Sequence, residues 1–260
     1  DIVWFTIVAT NQMGRFDPKT EKMTVINLPH NGFLRWITDM IFPTLLHVAS
    51  WFPDKALTIN LSHHRFFGEK IMAFPYGIDI NPLDGSVWYA KLYANKLGRI
   101  DPKTMAITEY DTPLKGPRRP RFDAKGIFWI PSFDEGALMR FDTVSKTFES
   151  YKVPPVGDGE YETPYALNVN RKTGDVWMAA NNSDRVLRFT PASKTFQSYP
   201  SPTRVTVLRD FAFTEDGRVC ASSSNLPAYA IEDQRPSIIC IDPDGADKDR
   251  KMVAAGQAKG

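Results

Sequence analysis

A spacing pattern that recurs four times along the chain constrains its fold more than any other feature. Counting from a Trp, an Arg follows after 11 residues, a Tyr or Ile after 22 and a Pro after 25. The copies start at Trp4, Trp88, Trp129 and Trp177, and their arginines are Arg15, Arg99, Arg140 and Arg188. Each copy begins in a short apolar segment, and two copies contain the turn sequence Asp-Pro-Lys-Thr, at 17–20 and 101–104. The pattern therefore predicts antiparallel strands joined by hairpins and turns.

A further apolar strand precedes the later copies, for example at 76–85 and 165–175. Four short strands in each repeat predict an all-β fold, a β-propeller of four-stranded antiparallel blades. Five blades are visible, of which the first and the last are atypical. We therefore expect a single propeller domain over 1–260 that lacks upstream strands and forms part of a six- or seven-bladed ring.

The last blade departs from the spacing pattern. Cys220 takes the place of the Trp and Cys240 that of the Arg, 20 residues later instead of 11. If these strands pair, the two sulfurs could meet, but a disulfide requires Cβ atoms about 4 Å apart. The sequence leaves the pairing open, and with it the redox compartment.

Residues 30–73 do not follow the pattern and are predicted to be a partly helical insertion between the first two visible blades. Its apolar stretch 33–52 is interrupted by Pro43, which favours two short helical segments. The stretch is too short to span a bilayer. Packing over the ring, a partner protein or a membrane surface would each explain its apolar content.

All four histidines lie in this insertion, namely His30, His47, His63 and His64. They could form a metal site or an acid–base centre, with His30, His63 and His64 as catalytic candidates if the insertion covers the channel. No metal-binding spacing such as HExxH links them. The alternative is that they are surface or hydrogen-bonded histidines of a capping loop.

The charge balance argues against a nucleic-acid partner. The chain has 32 basic and 30 acidic residues, a net charge of +2, so it lacks the basic surface that a polyanion would attract. It contains no transmembrane stretch. We expect a mature or truncated chain from a secreted or periplasmic protein.

Polar and aromatic residues recur where the innermost strand of each blade begins, which in propellers faces the channel mouth. The candidate ligand-binding residues at these positions are Tyr76, Arg118, Arg119, Tyr165, Arg209 and Asp210, and Asn182, from a loop after a Trp strand, is a further candidate. Loops after the Trp strands add Asn11, Asn95, Asp134, Glu135 and Asn181. They could bind a polar ligand or peptide, or merely cap turns; Asn95 and Asn182 in particular suit tight hairpins.

The segments VWFT, NKLGRIDPKT with ITEYDTP, and GPRRPRFDAKGIFW resemble the streptogramin B lyase (virginiamycin B lyase) family of β-propellers. The resemblance covers most of 1–29 and 74–202. It implies a propeller and, in members with lyase activity, the opening of a macrocyclic depsipeptide by elimination with a His base and Mg²⁺. The position that is often Glu in the lyases holds Ile7, Lys91, Ser132, Ala180 and Ser223 here, and no histidine follows His64.

Two functions follow as hypotheses. The first is a non-catalytic propeller module of a larger exported protein or assembly, binding a protein partner through 33–52 or a small polar ligand. The alternative is a streptogramin B lyase-like enzyme that opens a cyclic ester by metal-assisted elimination, with Mg²⁺ or Ca²⁺ at the ring axis. A related metal-dependent lactonase would require ligands such as Glu135, Asn182 and Asp210 to converge on one cation.

Overall fold

The computed structural model describes residues 2–52, 65–202, 206–223, 237–243 and 245. They form two compact units, residues 1–152 and 153–260. Each unit consists of antiparallel sheets with the strand order of propeller blades. The predicted all-β propeller class is confirmed.

The first unit contains three blades. Blade 1 has strands β1 (Val3–Ile7), β2 (Gln12–Asp17) and β3 (Lys22–Asn27). Blade 2 has β4 (Pro75–Ile80), β5 (Val87–Lys91), β6 (Lys96–Ile100) and β7 (Ile107–Asp111). Blade 3 has β8 (Arg121–Phe122), β9 (Ile127–Ser132), β10 (Ala137–Asp142) and β11 (Thr147–Lys152).

The second unit contains two blades. Blade 4 has β12 (Pro164–Val169), β13 (Val176–Ala180), β14 (Arg185–Thr190) and β15 (Thr195–Pro200). Blade 5 has β16 (Leu208–Phe213), β17 (Val219–Ser223) and β18 (Ser237–Ile241) within the described ranges. The inner strands of blades 2 and 4 are β4 and β12. Near the start of each inner strand, its pairing with the next strand, β5 or β13, shifts register.

The 11-residue interval of the pattern has a direct structural meaning. It places the Trp and the Arg opposite each other on paired strands, as in Trp88–Arg99 and Trp177–Arg188. In blade 5 the same two positions are Cys220 and Cys240, which are also directly opposite and form a disulfide. The pairing register therefore brings the two sulfurs together, and the cysteine pairing that the sequence left open is a disulfide.

Trp88 and Trp177 fill spaces between neighbouring sheets, as predicted for the tryptophans of the pattern. Trp88 is 1% exposed and packs with apolar residues of blades 2 and 3. Trp177 does the same between blades 4 and 5. Trp129 is also buried, whereas Trp4 is only partly so. Arg99, Arg140 and Arg188 bind carboxylates of their own blade, for example Arg188 to Asp175 at 2.6 Å, so they stabilise the scaffold.

The turn after the Arg strand depends on its Asp. Oδ1 of Asp101 accepts hydrogen bonds from the backbone N–H groups of Lys103 and Thr104, and Asp142 binds Val144 and Ser145 in the same way. These backbone hydrogen bonds lower the pKa of both aspartates below their usual value. The turn chemistry predicted from Asp-Pro-Lys-Thr is therefore confirmed.

Between blades 1 and 2 lie helix α1 (Phe33–Ala49) and helix α2 (Arg65–Ile71). The prediction of two short segments broken at Pro43 is wrong, since α1 runs through Pro43 as one helix. Proline removes one backbone donor, so the helix loses one intrahelical hydrogen bond there but keeps the others. No helix in the described ranges has the length and apolar character needed to cross a membrane.

Candidate functional site

Helix α1 exposes its apolar side chains and turns its charged ones inward. None of its residues is buried. The large apolar side chains exposed on α1 and in the two residues of the turn beyond it are Phe33, Leu34, Trp36, Met40, Ile41, Leu45, Leu46, Val48, Trp51 and Phe52. A helix on the surface of a globular protein normally shows the reverse arrangement. We call residues 33–52 the apolar helix surface.

The area of this surface is unusual for a monomer. Four of its five Phe and Trp side chains are 41–70% exposed, and each aromatic side chain has roughly 150–250 Å² to bury. They alone present several hundred Å², whereas the largest apolar patch on a typical monomer covers roughly 300–600 Å² in total. A surface of this kind indicates a binding face.

Arg35, the one basic residue of the helix apart from His47, holds α1 against α2 and blade 2. Its guanidinium donates hydrogen bonds to the backbone carbonyls of Asn31, Glu69, Met72 and Tyr93 at 2.8–3.1 Å. Burial lowers the pKa of Arg35, and the nearby Asp39 partly compensates. The charge of Arg35 is therefore directed toward the body of the first unit and not toward the exposed face of α1.

Asp39, the one acidic residue of α1, is also turned inward. Its side chain is 7% exposed, and its Oδ2 lies 2.7 Å from Nδ1 of His30 and accepts a hydrogen bond from Nδ2 of Asn11 at 2.8 Å. Asn11 adopts a left-handed conformation (φ 52°) in the hairpin between β1 and β2 and also donates to the carbonyls of Leu28 and Pro29. His30 is therefore an anchor of α1.

Beneath the start of α1 lies a buried ion pair that sequence reasoning missed. Nζ of Lys91, with a fully buried side chain, lies 2.8 Å from Oε1 of Glu109 and donates to Oδ1 of Asn31 at 2.7 Å and to the carbonyl of Pro29. Tyr89 donates to Glu109 at 2.8 Å. Burial lowers the pKa of Lys91, and Glu109 acts in the opposite direction.

Gly98 makes this arrangement possible. A Cβ at residue 98 would lie 1.9 Å from the ring of Tyr89, so only glycine allows that ring to lie across the sheet and reach Glu109. Lys91 stands at the position that is often Glu in the lyases. The sequence signal for this ion pair is a lysine at the end of the otherwise apolar strand VWYAK.

The predicted ligand-binding residues share one register position. Tyr76, Arg118, Tyr165 and Arg209 each follow the first paired residue of an inner strand. In the first unit the guanidinium of Arg119 lies 5.3 Å from the ring centre of Tyr76. In the second unit Arg209 lies 5.1 Å from the ring centre of Tyr165 and donates to its hydroxyl at 2.7 Å. The structure thus forms two Tyr–Arg pairs, one in each unit.

Other candidate residues make contacts with neighbouring residues of the blades. Arg118 lies 3.5 Å from the ring centre of Phe133. Asn95 takes a left-handed conformation (φ 53°) as expected, but Asn182 does not; Asp184 does so in that hairpin. Asn182 instead bonds Thr163 and Tyr161, and Asp210 accepts from the N–H of Phe211.

The residues considered for a metal site are used in local hydrogen bonds. Glu135 accepts from the N–H of Lys115 at 2.9 Å, and Oδ1 of Asn182 accepts from Thr163 at 2.8 Å. Within the described ranges no three His, Cys, Asp or Glu side chains come together as metal ligands. His63 and His64 lie outside the described residues.

Solved structures support the same fold. The virginiamycin B lyase of Staphylococcus aureus superposes with a TM-score of 0.62 at 20% identity, over 85% of this chain and 59% of the lyase. A streptogramin B lyase gives 0.63 at 17% identity, over 94% and 67%. A chain of a nidogen/laminin complex gives 0.56 at 10% identity, over 85% and 69%.

These similarities establish a shared β-propeller fold, and the chain spans 59% of the length of the Staphylococcus aureus lyase. No protein-family model and no curated protein matches the chain. The resemblance predicted from the strand and turn segments is confirmed at the level of the fold. Function must be argued from the sites, because a propeller carries many functions.

Proposed function

We propose that this chain is a non-catalytic propeller module that attaches to an apolar partner surface through the apolar helix surface 33–52. The observation that carries the proposal is the inverted arrangement of α1, with Arg35 and Asp39 bonded to hairpins of blades 2 and 1 and the large apolar side chains directed outward. Exposing such residues opposes the hydrophobic effect unless they are covered in use.

The anchor network supports the same proposal. Arg35 donates to the carbonyl of Tyr93 in blade 2, Asp39 accepts from the amide of Asn11 in blade 1, and Lys91 of blade 2 donates to Asn31 just before α1. Such a network gives the helix a fixed orientation on the blades. The blades then act as a scaffold, and the helix presents the binding face.

Attachment can be measured by retention on an octyl-derivatised resin at low salt. The native chain should be retained, and Leu45→Glu with Leu46→Glu should elute early, because both side chains are exposed on α1. Val144→Glu is the matched control, since Val144 is 84% exposed on a blade turn. Equal retention of the double variant and the native chain would refute attachment through α1.

The lyase alternative makes a separate prediction. A metal-assisted lyase would open a streptogramin B-type cyclic depsipeptide in the presence of Mg²⁺, and we expect no ring opening, because the residues at the axial positions of the described blades include Lys91, Ser132 and Ala180 rather than Glu. Mass spectrometry of the incubated depsipeptide checks this. Turnover above the metal-only control would favour the enzyme.

The two Tyr–Arg pairs favour a second binding role, for a small polar ligand that carries a carboxylate. Arginine can bind a carboxylate in a bidentate manner while it remains stacked on an aromatic ring. Arg119→Met and Arg209→Met should each weaken binding of a carboxylate ligand, measured by calorimetry with a set of dicarboxylates.

We propose further that 1–260 is one propeller domain with 30–73 as an insertion, and that the Cys220–Cys240 disulfide reflects a secreted or periplasmic location.

A further inference from the structure

The apolar helix surface carries no charge that could recognise a charged partner. The side chains of Arg35 and Asp39 are the only fully ionic groups in 33–52, and both are bonded to the body of the first unit. What remains exposed is Trp, Phe, Leu, Ile, Met and Val, together with a few uncharged polar groups. The surface that complements such a face is equally uncharged and apolar.

The second half of α1 projects away from the blades. Every residue from Pro43 to Val48 is exposed. Successive helical residues are about 100° apart around the axis, so the six exposed residues 43–48 are distributed around the whole circumference of the helix, with Leu45 and Leu46 about 100° apart. A groove on a protein covers one face of a helix, whereas hydrocarbon can surround it on all sides.

Several polar groups of α1 and of the turn after it are hydrogen-bonded within the helix. The hydroxyl of Thr38 donates to the carbonyl of Leu34 at 3.0 Å, and that of Ser50 donates to the carbonyl of His47 at 2.6 Å. The N–H groups of Ser50, Trp51 and Phe52 are bonded to carbonyls of Leu46, Val48 and Ala49. Satisfying these groups within the helix lowers the cost of removing them from water.

Aromatic residues flank the segment in the way typical of a membrane interface. Phe33 and Trp36 stack at 5.7 Å near the first turn, and His47 and Trp51 pack edge to face at 5.4 Å at the end. Tryptophan is enriched where hydrocarbon meets the headgroups. A 17-residue helix is about 25 Å long, and its first half is bonded to the blades, so its projecting half can reach the outer part of one leaflet.

We propose that the apolar partner surface is the interface of a phospholipid bilayer, into which α1 inserts its projecting half up to Phe52. The inference rests on the proposed attachment through α1 and assigns the partner. Binding is driven by apolar burial and needs no anionic headgroup, because α1 presents no exposed lysine or arginine.

The test is co-sedimentation with phosphatidylcholine vesicles, with and without phosphatidylserine. The native chain should bind both kinds of vesicle with similar partition coefficients that change little with salt. Leu45→Glu with Leu46→Glu should lower the partition coefficient about a hundredfold or more, since each buried leucine side chain is worth about tenfold or more. Val144→Glu should bind like the native chain, and Trp51 fluorescence should shift to the blue only when vesicles are added.

The outcomes separate this inference from the proposed function. Retention on the octyl resin that depends on Leu45 and Leu46, without any vesicle binding, would overturn the lipid assignment and leave attachment to a protein partner. A dimer in sedimentation equilibrium that the double variant abolishes, again without vesicle binding, would assign the surface to a second copy. Binding that requires phosphatidylserine and disappears in salt would also overturn the inference, and loss of both retention and vesicle binding would overturn both proposals.

Discussion

Trp88 and Trp51 belong to the same compact unit and occupy opposite environments. Trp88 is 1% exposed, and its ring lies 5.7–6.0 Å from those of Tyr110, Phe122, Phe128 and Phe141. Trp51 is 64% exposed beyond the end of α1. The blades bury apolar side chains and expose charges, whereas α1 does the reverse. The difference separates residues that maintain the fold from residues available for binding.

Replacing each of the two tryptophans with alanine should give the largest difference in the free energy of unfolding between the blades and the helix. Trp88→Ala should lower the free energy of unfolding by about 3–5 kcal/mol, because it leaves a cavity among buried rings. Trp51→Ala should change it by less than about 0.5 kcal/mol, as is usual for surface positions. Urea unfolding measures both, and a similar loss for the two variants would remove the distinction between blades and helix.

The buried ion pair under α1 offers a second contrast. Lys91→Met leaves the carboxylate of Glu109 buried without its cation and should cost about 3–5 kcal/mol. Lys96, directly opposite Lys91, pairs with the largely exposed Asp111, so Lys96→Met should cost less than about 1 kcal/mol. Restoring neutrality with Glu109→Leu in the Lys91→Met background should recover part of the loss in urea unfolding; no recovery would argue against a coupled pair.

The blades could be predicted from the sequence because their constraints are local and repeated. The 11-residue interval fixes the pairing of Trp88 with Arg99, and the turn aspartates specify the reversals. Helix α1 could not be predicted as fully. An apolar stripe indicates a helix face but not which side of it meets the body, which here depends on Asp39 contacting His30 and Asn11.

The candidate site was predicted only in part. Stretch 33–52 was selected by its apolar composition, but its continuity through Pro43 depends on the rest of the helix tolerating one lost hydrogen bond. Tyr76 and Arg119 were chosen separately, and their pairing requires the inner strands of adjacent blades to be neighbours. Lys91 was noted only as a replacement for Glu, because its partner Glu109 lies two strands away.

Blade 5 provides a third contrast with the regular blades, since a disulfide takes the place of the Trp–Arg pair. Cys220→Ala with Cys240→Ala opens a 20-residue loop and should lower the free energy of unfolding by about 3 kcal/mol. A reducing agent should lower the free energy of unfolding of the native chain by a similar amount and should leave that of the double variant unchanged. An unchanged urea midpoint in the double variant would mean that the pair does not contribute to stability.

The turn aspartates should give the smallest effect. The pKa values of Asp101 and Asp142 are lowered from 3.8 in the folded chain, so they contribute stability above that value and lose it as the pH falls below it. The urea midpoint should therefore decrease as the pH is lowered from about 5 to about 2. Asp142→Asn should make this decrease less steep, and an unchanged pH dependence would contradict the proposed role of its turn hydrogen bonds.

Amide hydrogen exchange with and without phosphatidylcholine vesicles tests the division between scaffold and binding surface most directly. We expect vesicles to slow exchange in 43–52, the projecting part of the apolar helix surface, and to leave exchange in strands such as β5 and β13 unchanged. Protection in the blades with none in 43–52, or no protection at all, would contradict this expectation.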